Sequence, residues 1–253
     1  MLHGQFIKQT EEEGGKVRWL WLSGTGIKRE TESLIMAEQE QAIRTNVIKA
    51  RIDRTQEESK CRMCGRADET INHLLSECNK MAQKEYKRRH DWMGKRIHWD
   101  VCKKNKIRVK EKWYEHEPAP VTENEECEIL WDFNVKTDHV IEGRRPDMII
   151  IDKEVNLSIV IEMSCPWLDR QLKDLEKTQK HGPLRWELKR QFQGYEVTQH
   201  NIIMDVLGGY SKDVGKTVET LAGGRGEEIL RRMQKSVLCN SLNIARSFKV
   251  LVD

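Results

Sequence analysis

The sequence predicts a mixed α/β (α+β) protein built in two parts, and three observations lead there. Between Glu30 and Ile52 the apolar residues Met36, Ile43, Val47 and Ala50 recur at helical spacing along a heavily charged stretch. Beyond residue 128 the period changes: short runs rich in β-branched residues, such as Met148–Ile151 and Leu157–Ile161, alternate with helical stretches. Between the two parts, Glu115–Glu128 carries six glutamates, Pro118 and Pro120, and no Lys or Arg. Both prolines disfavour helix, so the organisation of the chain changes there.

Residues 1–55 read as a helical linker region, in which Trp19–Leu22 forms a short buried segment ended by Gly24 and Gly26. Residues 56–114 hold a cysteine-rich turn and a basic run, and residues 115–127 form the acidic, proline-containing linker. Residues 128–253 form the mixed sheet with flanking helices. Within them Ile129–Val135, Val140–Ile141, Met148–Ile151, Leu157–Ile161 and Tyr195–Val206 read as strands. Leu168–Phe192 reads as helix broken or kinked at Gly182-Pro183, with further helices near Asp213–Leu221 and Glu227–Lys249.

The chain has 253 residues, 44 Lys and Arg against 41 Asp and Glu, and 34% charged residues. Its longest apolar runs fall far short of the ~18 residues that a membrane span needs. The Met1–Phe6 start lacks the apolar core of a signal peptide, so the expectation is a soluble intracellular protein in which seven cysteines are thiols or metal ligands. The net charge of +3 hides a segregation: Lys80–Lys112 holds thirteen basic residues against four acids, with Tyr86, Trp92, Trp99 and Trp113 interleaved. A positive stripe with aromatic faces suits a phosphate backbone and unstacked bases, and equally a solvated helix whose tryptophans turn to a core. Lys87, Arg88, Arg89, His90, Lys95 and Arg96 are the candidate nucleic-acid contacts in it, joined by Arg144 and Arg145.

Cys61, Cys64, His73 and Cys78 are spaced C-x2-C-x8-H-x4-C. The short C-x2-C turn aims two thiolates at one ion, and a His and a Cys from the following segment close a tetrahedron around structural Zn²⁺. Metal binding would order a polar stretch that has little apolar surface to bury. Cys102, Cys127, Cys165 and Cys239 stand alone and read as ordinary thiols; His98 reads as a phosphate contact or a helix residue.

Asp147 leads into one apolar run and Glu162 ends the next. If these runs form an antiparallel hairpin whose turn centres between Glu154 and Val155, the two acids lie directly opposite, with β-carbons about 5 Å apart. Like charges at that distance repel unless a cation lies between them, and a hard divalent ion such as Mg²⁺ fits. Two solvent-facing acids at strand ends are the alternative, and a slip of one residue would separate the pair to opposite faces.

Taken together, Cys61, Cys64, His73 and Cys78, then Arg88-Arg89-His90-Asp91, then Arg145-Pro146-Asp147 with Glu162, resemble the C-terminal part of the polyprotein of non-LTR (LINE-type) retrotransposons that carry a restriction-like endonuclease. Trp19–Leu22 through Arg44-Thr45-Asn46 is similar to the region joining the polymerase to the zinc knuckle in that family. The resemblance implies a CCHC knuckle followed by a PD-(D/E)xK nuclease domain that nicks target DNA, the nicked 3′-OH then priming reverse transcription of the element RNA. It implies Asp147 and Glu162 as ligands of catalytic Mg²⁺. Because Ser164 and not Lys stands two residues after Glu162, it implies a lysine from the following helix, Lys177 or Lys180. It also implies DNA as target, element RNA as a further partner and nuclear action. Glu162 stands where relatives more often have Asp. No polymerase motif is present, so the polymerase is expected in the full-length element. The alternative reading is a catalytically inactive zinc-knuckle nucleic-acid-binding remnant.

Overall fold

Met148, Ile149, Ile150 and Ile151 are all buried, which a strand achieves only when both faces of its sheet are covered. In the computed structural model, which describes residues 4–12, 16–24 and 26–248, that strand is central. The sheet comprises β1 (Val121–Glu123), β2 (Cys127–Trp131), β3 (Met148–Asp152), β4 (Leu157–Ser164) and β5 (Glu196–Ile203), in that spatial order. The first four strands pair antiparallel and β5 lies parallel to β4.

Seven helices of eight residues or more accompany the sheet among the described residues: α1 (Gln5–Glu12), α2 (Arg29–Gln39), α3 (Lys87–Lys104), α4 (Arg170–Lys180), α5 (Gly182–Gln191), α6 (Lys212–Ala222) and α7 (Gly226–Ser247). Strand alternation sorts the core. Met148 and Ile150 of β3 pack with Ile161 and Met163 of β4 against Met93 and Ile97 of α3, Val218 of α6 and Met233 of α7. Ile149, Ile151 and Val160 face the other way, onto Leu184 and Leu188 of α5. Each such side chain taken out of water contributes about 1.5–3 kcal/mol. No helix among the described residues is long and apolar enough to cross a membrane.

The hairpin forms in the expected register: Met148 opposes Ile161 and Asp152 opposes Leu157, around a turn at residues 153–156. Asp147 and Glu162 are the next positions outward. The Gly182-Pro183 break is also present, with α4 ending at Lys180 and α5 beginning at Gly182, proline in its first turn, where its missing N–H costs nothing.

Several elements differ from expectation. The single helix over Glu30–Ile52 is two pieces. Gln41 adopts a φ of +55° after α2, and Thr45 caps a new turn at Asn46–Ile48. The buried stripe of α2 is Ile35, Glu38 and Gln39, not Met36, which is exposed; Gln39 Nε2 donates to Leu207 O at 2.8 Å. The strand expected over Ile129–Val135 stops at Trp131, because Asp132 turns the chain with a φ of +46°. Val140–Ile141 is not a strand, and Val140 is 93% exposed. Tyr195–Val206 is trimmed to β5, and Lys249, the last residue of the final expected helix, lies outside the described residues. The acidic segment 115–127 supplies β1 at the edge of the sheet, a position prolines tolerate. The hydrophobic core is continuous across that segment: Met93, Ile97 and Val101 pack in the same cluster as Ile129, Met148 and Ile161.

α3 crosses the sheet at Gly94, where an added β-carbon would lie 2.5 Å from Trp131 Cη2 and 2.7 Å from Met163 Cε. The Gly94→Ala variant is therefore expected to lose about 1–3 kcal/mol to overpacking, read as a lowered denaturant midpoint with an unchanged slope.

Candidate functional site

The knuckle is shaped by backbone before any metal enters. Cys61 N donates to Ala67 O and Gly65 N to Cys61 O, both at 2.8 Å, and Gly65 holds the positive φ (+65°) of the tight turn. Asn72 leads into the turn of helix His73–Glu77, and Cys78 follows it. One ligand atom from each of Cys61, Cys64, His73 and Cys78 lies within 4.8 Å of the others, and Cys64 Sγ is 3.3 Å from His73 Nε2. This Cys₃His group can hold a metal ion. Backbone N–H groups of Ala67 and Arg66 pull the Cys64 thiol down to about 6, whereas burial pushes Cys78 up to about 11. The buried carboxylate of Glu69 braces the turn: it accepts from Arg62 Nε, from Arg62 N and from Asn46 N, each at 2.9 Å. Arg62 Nη1 donates onward to Phe248 O at 2.7 Å, beside the end of α7.

The second assembly gathers around the hairpin end. Asp147 and Glu162 are interlocked through the opposite backbone: Met163 N donates to Asp147 Oδ2 at 2.7 Å, and Asp147 N donates to Glu162 Oε1 at 3.1 Å. The Glu162 side chain is 2% exposed, so its charge needs a partner. Lys177 Nζ of α4 supplies it at 2.6 Å from Oε2, and His181 Nε2, fully buried, lies 3.0 Å from Oε1. His90 Nε2 of α3 approaches Asp147 Oδ2 at 3.3 Å, while its Nδ1 lies 3.1 Å from Asp91 Oδ1.

These contacts shift protonation in a consistent sense. Burial opposes charge on His90, but its bonds to Asp147 and Asp91 overcome that and raise it to about 10. Burial would raise Asp147, and the His90 bond and charge, with Lys177, hold it below the usual carboxylate range. Burial opposes charge on Lys177, and Glu162 and Asp147 outweigh it and raise the amine. The Asp147 carboxylate is thus an anionic donor, the form a hard divalent ion takes.

Asp147 opens on a cleft of about 370 Å³ shared with His90, Lys87, Lys95 and Arg145, whose walls include Glu117 and Trp131. Of the basic residues expected to meet nucleic acid, these are the ones the fold brings to the acids. Lys95 pairs with Glu117, and Arg145 Nη2 with Asp132 Oδ2 at 2.7 Å. Arg88 lies apart, beside Trp92, Trp113 and Asn240 in a separate cavity; Arg144 is exposed outside the cleft.

Arg89 and Arg96 do not present surface contacts. Arg89 is 2% exposed and donates to Leu75 O at 2.9 Å and Ser241 Oγ at 3.2 Å. Arg96 is 1% exposed, bound to Asp100 at 2.7 Å and stacked on Trp99 and Trp113. Both face the core because α3 turns them inward with Met93 and Ile97.

Between the two candidate lysines, Lys177 reaches Glu162, and Lys180 is exposed. His181 was not singled out from the sequence, although it stands four residues after Lys177, the spacing that puts both on one helix face.

No protein-family model matches the chain, and no curated protein does. Among solved structures, an N-terminal domain of a reptarenavirus L protein aligns with a TM-score of 0.32 and 14% identity, over 86% of this chain and 82% of that one. At that TM-score the likeness fixes neither fold nor function. The site stands on its own geometry.

The His90 pairing carries a pH signature. A histidine at about 10 when folded, against an ordinary 6.5, contributes stability that is complete below pH 6.5 and lost as the pH rises toward 10. The urea midpoint of the parent is expected to fall across that window more steeply than that of His90→Gln. Equal slopes would remove the His90–Asp147 pair as the source.

Proposed function

We propose that the chain is a metal-dependent DNA endonuclease unit of a non-LTR retrotransposon protein, with a PD-(D/E)xK-type site and a structural zinc knuckle. The observation that carries this reading is the convergence of Asp147 and Glu162 from adjacent strands with Lys177 from the following helix, Asp147 opening on a cleft lined by Lys87, Lys95 and Arg145 while Glu162 and Lys177 lie behind it. Lys87, Lys95 and Arg145 hold the DNA backbone as point charges and a guanidinium fork. Asp147 and Glu162 hold Mg²⁺, which when bound supplies Lewis-acid stabilisation of charge on the scissile phosphate. Lys177, held as an ammonium by the two acids, donates hydrogen bonds that orient the attacking water, whose proton is lost to solvent. The water oxygen adds to phosphorus, the P–O3′ bond breaks, and the departing 3′ oxygen takes up a proton. The free 3′-OH then primes copying of element RNA by a polymerase carried elsewhere in the full-length protein, which places the action in the nucleus.

His90 holds the Asp147 carboxylate and His181 packs behind Glu162, so both act as positioning residues. Cys61, Cys64, His73 and Cys78 hold Zn²⁺, whose borderline-soft character matches three thiolates and an imidazole.

A second reading, a nucleic-acid-binding module without cleavage, is favoured by one observation: Lys177 and His90 already neutralise the two acids by direct pairing.

Supercoiled plasmid with Mg²⁺ separates the two. Nicking is expected from the parent, to be abolished in Asp147→Asn, to drop on the order of 10²–10³-fold in Lys177→Ala, and to persist in Lys180→Ala. Nicking that survives in Asp147→Asn refutes the mechanism, and an inactive parent that still retards DNA supports the binding module. The zinc assignment has its own readout. A chelator is expected to make the thiols of Cys61, Cys64 and Cys78 reactive toward Ellman's reagent and to lower the melting temperature. Unchanged thiol reactivity would refute it.

A further inference from the structure

Behind the cleft lies a cluster that the nuclease reading does not use. His98 and Cys102 stand four residues apart on α3, and therefore on one face. His116 arrives from the segment that follows the Trp113–Glu115 turn. His98 Nδ1 lies 2.8 Å from His116 Nε2 and 3.5 Å from Cys102 Sγ, and one ligand atom from each residue lies within 4.8 Å of the other two. Their exposures are 0%, 0% and 6%, and Trp131 closes the site with its ring edge-on to His98 at 5.6 Å.

Hydrogen bonding alone serves this arrangement poorly. A ring nitrogen carries either one proton or one lone pair, whereas His98 Nδ1 faces two partners at once. An ion placed among the three atoms satisfies all of them. Two imidazoles and a thiolate form a borderline-soft donor set, which suits Zn²⁺ and disfavours the oxygen-seeking Mg²⁺ and Ca²⁺.

We propose that His98, Cys102 and His116 form a second metal centre that holds one Zn²⁺-class ion, separate from the Cys61–Cys78 knuckle. Three protein ligands leave one tetrahedral position to water. The ion clips the 113–117 segment onto α3, and Glu117 and Pro118, next along that segment, form a wall of the Asp147 cleft. It holds that segment to the helix, and it stands whether or not the cleft cleaves DNA.

Metal content of the full chain, purified without chelator, tests the assignment. The parent is expected to hold two zinc ions per chain. Cys102→Ser, which keeps the side-chain size, and His116→Gln are each expected to hold one fewer. With cobalt in place of zinc, Cys102→Ser should lose the charge-transfer band of one thiolate of four, while the three from Cys61, Cys64 and Cys78 persist and report that the variant is folded. Two results overturn the proposal: both variants retaining the parent's full metal content, or a parent whose every bound ion is lost in Cys61→Ser.

Discussion

A carboxylate buried at a strand end organises the sheet half of this molecule. Glu162 sits on β4 at 2% side-chain exposure, in a sheet covered on both faces. An ion there is tolerable only if charge and hydrogen bonds are brought to it. Asp147 N and Lys177 do so, from the start of β3 and from α4, and His181 packs 3.0 Å from the same carboxylate at the joint between α4 and α5. The Gly182-Pro183 break that ends α4 leaves His181 beside this carboxylate. Gly143, whose β-carbon would come within 2.9 Å of Lys180 O, leaves room for the chain to pass close to that break.

The knuckle and the sheet are joined through α7 rather than through the linear order of the chain. Ile244, Ala245 and Phe248 pack with Leu74, Leu75 and Phe6, while Met233 and Val237 of the same helix pack against the sheet side. Trp21 and Ile35 close over Leu238 and Leu242. The Arg62 guanidinium, held by Glu69 and donating to Phe248 O, adds a directional bond to this apolar contact. Metal at the knuckle would thus stabilise a surface that the C-terminal helix also needs.

How much of this was legible depended on whether the information was local. The hairpin register followed from two apolar runs and the polar turn Lys153–Asn156 between them, so the opposition of Asp147 and Glu162 could be read before any coordinates. The knuckle spacing was local too. His90 and His181 were not legible as carboxylate partners, because α3 approaches β3 only in the folded core and nothing near His90 in the chain mentions Asp147. Counting charge over Lys80–Lys112 lost the distinction between faces. Arg89 and Arg96 share the inward face of α3 with Met93 and Ile97, and only the helical phase separates them from Lys87 and Lys95. The left-handed residues Gln41 and Asp132 ended elements without any glycine to announce them.

α3 touches the knuckle, the acid pair, the sheet and the His98 cluster in turn. Arg89 meets the knuckle's Leu75, His90 meets Asp147, Gly94 meets Trp131, and His98 meets His116. It therefore acts as a ruler, with graduations set by a rise of about 1.5 Å per residue. Length along it cannot drift: one residue inserted between His90 and His98 would rotate everything downstream by about 100° and set the two ends out of phase. Side chains on this rod can be exchanged within limits, but its count of residues is held by both ends at once.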